Sequence, residues 1–75
     1  MKDKDIEAQL GLTSRLVADL IEQHQDILEE DDDICEVINL SRKSLEFFLA
    51  QDDDSRALYE AKSTQKAILS FLGLV

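Results

Sequence analysis

Apolar residues recur at helical spacing along most of this chain, and nowhere do β-branched residues alternate with polar ones as they would in a half-buried strand. Proline is absent, and Gly11 and Gly73 are the two glycines, so few positions impose a turn. The chain is therefore confined to an all-α fold. We expect one domain, a small helical bundle of about three helices with antiparallel neighbours, spanning approximately 14–28, 33–50 and 55–72.

A short extra N-terminal helix over 2–10 precedes these if Gly11 closes it in the left-handed conformation. Thr13 would then cap a fresh helix, with Leu12 stapled against Val17. The competing reading runs one helix through Gly11, at a cost of roughly 1 kcal/mol relative to Ala. Over 14–28, Leu16, Val17, Leu20, Ile21, His24, Ile27 and Leu28 fall in one arc. Asp19, Glu22, Asp26, Glu29 and Glu30 fall opposite and form an acidic surface.

The unbroken acidic run 29–33 reads as a hinge, because the apolar arc beyond it is displaced by roughly 110° from the one before. Like charges weaken a helix interior, whereas Asp at a helix start caps free N–H groups and suits the macrodipole. Asp32 or Asp33 thus begins the next helix, with Asp33 and Glu36 arranged as a capping box. Over 34–50, Ile34, Val37, Ile38, Leu40, Leu45, Phe47, Phe48 and Leu49 spread over roughly 200° of the wheel, more than one neighbour covers. We expect this helix to be the structural centre, packed between two others or against another chain. Asp52, Asp53, Asp54 and Ser55 supply the second break. Beyond it Ala57, Leu58, Ala61, Ile68, Leu69 and Leu72 share a face interrupted by Gln65, while Tyr59, Phe71 and the tail Leu74 and Val75 lie off it.

The formal charge of −9 is carried by residues 16–41, which hold nine acids and no Lys or Arg, while the charges outside cancel. Binding DNA, RNA or an anionic membrane needs a Lys/Arg surface, so those classes are excluded and basic protein partners fit. A domain of 75 residues buries only about 60–65% of its unfolded surface, so a partner or a second copy would add stability. Cys35 is the single cysteine, so no intrachain disulfide forms. Neither a leader nor an apolar run near 18 residues is present, which makes the cytoplasm the expected location.

No metal or cofactor is expected. An EF-hand loop counted from Asp31 or from Asp52 meets Cys35 or Arg56 where its fifth position needs an oxygen ligand. The di-iron Glu-x-x-His pattern fails because Ile21 precedes His24. His24 lies within the apolar arc with no Ser, Cys or Asp placed beside it for catalysis, so we read a structural or interface histidine. If it faces a second chain, its protonation weakens assembly. Cys35, in the first turn of its helix, reads as inert and partly buried. The pair Asp54-Ser55 matches the Asp-Ser of acyl carrier proteins, but Arg56 stands where their Leu follows.

Segment 44–50 (Ser-Leu-Glu-Phe-Phe-Leu-Ala), an acidic turn, Tyr59 and Lys66-Ala67-Ile68-Leu69 together resemble the helix-turn-helix of small co-chaperones for type III secretion needle subunits. Segment 63–70 is similar to the last helix of flagellar filament-cap chaperones. The resemblance implies a helical protein without a catalytic site that binds export subunits or other chaperones through apolar helix faces.

The expected function is therefore non-enzymatic: a protein–protein interaction module, of the export co-chaperone kind, that docks another protein or a second copy by helix packing. Phe47, Phe48, Tyr59, Phe71 and Leu72 are the expected partner-binding residues, since aromatic side chains dominate interface energies. The alternative is an acidic inhibitor, antitoxin-like or imitating DNA, that covers a basic site with Asp19, Glu22, Asp26, Glu29 and Glu30.

Overall fold

The computed structural model describes residues 3–74; Lys2 and Val75, which the sequence assigns to the first helix and to the apolar tail, lie outside them. Four helices follow in order: α1 (Lys4–Gln23), α2 (Gln25–Glu29), α3 (Asp32–Ala50) and α4 (Asp54–Phe71), and no strand occurs among the described residues. The all-α bundle is as the periodicity predicts.

Helix α1 decides between the two readings at Gly11 and corrects the roles expected of Thr13 and Leu12. It runs without interruption through Gly11, where a Cβ would meet nothing within 4 Å. Continuity keeps the i→i−4 hydrogen bonds and lets Leu10 and Thr13 both bury, which outweighs the propensity cost of one glycine. Thr13 is thus an interior residue and not a cap, and Leu12 is exposed rather than stapled. The cap is Asp3, whose Oδ1 accepts from the N–H groups of Asp5 (2.9 Å) and Ile6 (3.4 Å). The inward arc shifts accordingly. Leu10, Thr13, Val17, Leu20 and Ile21 turn inward, while Leu16 and Ile27, expected there, are exposed.

The helix expected over 14–28 also breaks earlier than the acidic run, at His24, whose φ of −119° ends α1 and starts the short α2. The acidic run then supplies the second step of the turn. Its N-cap is Asp31, whose Oδ1 accepts from Ile34 N–H at 3.0 Å, so the Asp33–Glu36 capping box does not form. Cys35 Sγ donates to the Leu28 carbonyl at 3.1 Å and ties α3 back to α2.

The turn between α3 and α4 is a Schellman-type closure in which Asp52 takes the left-handed position, φ 55°. Asp52 N–H donates to Leu49 O and Asp53 N–H to Phe48 O. Asp53 then caps α4 through Arg56 N–H at 3.2 Å, so the helix begins at Asp54, one residue before the expected start. Gly73 (φ 73°) ends α4 in the same way, with Gly73 N–H on Ser70 O and Leu74 N–H on Leu69 O.

The centre of the bundle is α4, not α3. Both α1 and α3 pack on α4, whereas no Cα of α1 comes within 8 Å of a Cα of α3. The reason lies in side-chain size: α4 turns Ala57, Ala61, Thr64 and Ile68 inward, and small residues let two helices approach its backbone. Helices α3 and α4 form an antiparallel hairpin. Helix α1 lies on the other flank and runs the same way as α4, with Leu10 beside Ala57 and Ala61 and Val17 and Ile21 nearer Ile68. The wide apolar arc of α3 is used only in part, since Val37, Leu40, Phe47 and Leu49 remain exposed.

Candidate functional site

Because α1 and α3 stand apart with α4 beneath them, their facing sides bound an open groove. Val17, Ala18 and Ile21 form one wall, Ile38, Arg42 and Leu45 the other, and Ala61 and Thr64 the floor, around a volume of about 160 Å³. Ser14 and Ser41 complete the walls. A second depression of about 280 Å³ shares Ile21, Ile38 and Arg42 and continues past Gln25 and Leu28 to Cys35 and Asn39. The groove therefore extends along α1 from Ser14 to Ile21, roughly 10 Å or two helical turns, and continues past the break at His24 to Gln25 at the start of α2.

Each lining residue is placed by helical spacing. Ser14, Ala18 and Ile21 follow one another at intervals of four and three and form the groove side of α1, and Gln25 continues it from the start of α2. Ile38, Ser41, Arg42 and Leu45, at i, i+3, i+4 and i+7, do so on α3. The small side chains matter most, since Ser14, Ala18, Ser41 and Ala61 are what leave the space open. Thr64 does not burden the floor with an unpaired hydroxyl, because its Oγ1 donates to Glu60 O at 2.9 Å. Among the described residues no buried side-chain nitrogen or oxygen lacks a partner.

The expected acidic surface is fully on the outside: Asp19, Glu22, Asp26, Glu29 and Glu30 are all exposed, and Gln25 Nε2 donates to Glu29 at 2.8 Å. Asp31 to Asp33 join them at the α2–α3 end, and Asp52 to Asp54 lie at the opposite end, between α3 and α4. The groove thus runs between two acidic ends. No three His, Cys, Asp or Glu side chains among the described residues converge on a point that could hold a metal ion. His24 and Cys35 are both half-buried, the one just before α2 and the other in the first turn of α3.

The five expected partner-binding residues are not brought to one place. Phe48 packs against Leu10, Ala57 and Ala61, and Leu72 packs against Ile68 and its neighbours, so both serve the core. Phe47, Tyr59 and Phe71 are exposed, Tyr59 most of all at 74%. The Phe47 and Phe48 rings meet edge to face at 5.8 Å. A search for large apolar residues does not find Ser14, Ala18, Ser41, Arg42 or Thr64. The available signal was small residues spaced four apart, Ser14 with Ala18 and Ala57 with Ala61.

No described helix is long and apolar enough to cross a membrane. No protein-family model, curated protein or solved structure matches the chain.

Proposed function

We propose that this chain is a non-enzymatic protein–protein interaction module whose α1–α3 groove takes an amphipathic helix of a partner, completing a four-helix bundle. The open groove carries the reading. Three helices share one core, yet α1 and α3 leave an apolar channel about two turns long, continued to the start of α2, on the side away from α4. A fourth helix with apolar residues at i, i+3, i+4 and i+7 fits such a channel. Acidic residues at both ends and the net charge of −9 favour a partner helix with Lys or Arg flanking its apolar stripe. The narrower form of the proposal, an export co-chaperone, rests on the likeness of segment 44–50, Tyr59 and Lys66-Ala67-Ile68-Leu69 to that class.

The test uses a synthetic Lys/Leu helix of about four turns titrated into the full chain, followed by NMR. Amide shifts are expected at Ser14, Ala18, Arg42 and Thr64. Ala18→Glu puts a charge on an exposed wall position, so helicity should survive while affinity falls at least about tenfold. Equal binding by that variant, or shifts confined to other surfaces, would overturn the groove as the site.

A second reading, an acidic inhibitor of a basic protein, is supported by the exposure of all five acids from Asp19 to Glu30. Salt separates the two. An electrostatic inhibitor releases its partner between low and high salt, whereas groove docking persists.

A further inference from the structure

The side of α3 turned away from the groove carries a second, separate apolar surface. Val37, Leu40, Ser44 and Phe47 follow at intervals of three, four and three, the spacing of a coiled-coil seam. On the helical wheel they lie across from Arg42, which lines the groove. Val37 is 39%, Leu40 56% and Phe47 58% exposed, with Ser44 half-buried among them, so the three apolar members of the stripe are left open by the described chain.

We infer that this stripe pairs with the same stripe of a second copy of the chain, antiparallel about a two-fold axis. Three observations favour a second copy over a basic partner. The first is charge. After its first two residues α3 holds two acids, Glu36 and Glu46, and two bases, Arg42 and Lys43, so it is locally neutral although the chain carries −9. The acids of α1 and α2 lie on other elements, so two copies can meet along α3 without opposing their most charged segments.

The second is self-complementarity. Centred near Arg42, an antiparallel pairing sets Val37 of one copy against Phe47 of the other and Leu40 against Ser44, a larger side chain opposite a smaller one in each layer. The third is surface. The chain exposes 5534 Å², against about 4,650 Å² for a monomer of its 8.5 kDa. That surplus belongs to the whole elongated chain, the groove included, and the exposed Val37, Leu40 and Phe47 are part of it. The elongated form agrees: the radius of gyration is 12.6 Å, where about 11.3 Å suits a compact chain of this length.

The experiment is light scattering of the full chain from about 10 µM to about 1 mM, at low and high salt. The mass is expected to rise from 8.5 kDa towards twice that value, and more readily at high salt, because screening relieves repulsion between two chains of −9. Leu40→Glu should weaken pairing at least about tenfold, and Ser44→Leu, which lengthens the apolar seam, should tighten it. Ala18→Glu, on the groove side, should leave it unchanged, which separates this inference from the groove reading. A constant monomer mass at both salts overturns the inference, as does pairing indifferent to Leu40→Glu and Ser44→Leu.

Discussion

The two ends of the core are built from different material. Towards α2, Leu28, Ile34, Ile38 and Ile68 are buried together, with Val17, Leu20, Ile21 and Leu72 packed on them. Towards the α3–α4 turn, the buried residues are Leu10, Ala57 and Ala61, with Leu45, Phe48 and Leu58 around them. The first end gains stability from branched side chains that bury large apolar area. The second gains little area per residue, and holds because alanines bring backbones close enough for Phe48 and Leu10 to cover them.

The largest effect is expected at the branched end. Ile68 is wholly buried, so Ile68→Ala should cost about 2–5 kcal/mol, a large share of the stability of a 75-residue chain. Urea unfolding followed by circular dichroism measures it, and a loss under about 1 kcal/mol would mean that this end is not the stronger. At the alanine end, enlargement should hurt where truncation has little to remove. Ala57→Leu should cost about 1–3 kcal/mol, since the site has no room; a neutral result would show a loosely packed turn end. The smallest effect has the opposite sign. Gly11→Ala faces open space inside α1, so it should stabilise by up to about 1 kcal/mol and raise the melting temperature by a few degrees. A lower melting temperature would contradict the continuous helix.

The same contrast explains what could be read from the sequence. Three long helices and two acidic breaks were legible, because periodicity and charge runs are local signals. The α3 cap fell one or two residues before its expected place, and the α4 cap was left open among Asp52 to Ser55, since adjacent aspartates in each run offer nearly equivalent carboxylates and only backbone geometry selects Asp31 and Asp53. The centre was misread for a different reason. Apolar arcs weigh large side chains, so α3 looked central, but Ala57, Ala61 and Thr64 make α4 the helix that two others can reach. The groove was hidden in the same way, being defined by what Ala18 and Ser41 do not fill.

The wide spacing of the α1 and α3 backbones, whose side chains nonetheless share both core clusters, also bears on how the chain assembles. Joining α3 to α4 closes a short turn after Ala50, whereas bringing Leu10 to Ala57 closes a loop of most of the chain. Loop-closure entropy therefore favours the α3–α4 hairpin as an early structure, with α1 docking on it afterwards. The α1 wall of the groove is consequently the later one to be placed, and its departure, unlike that of α3, would leave the hairpin's own turn intact.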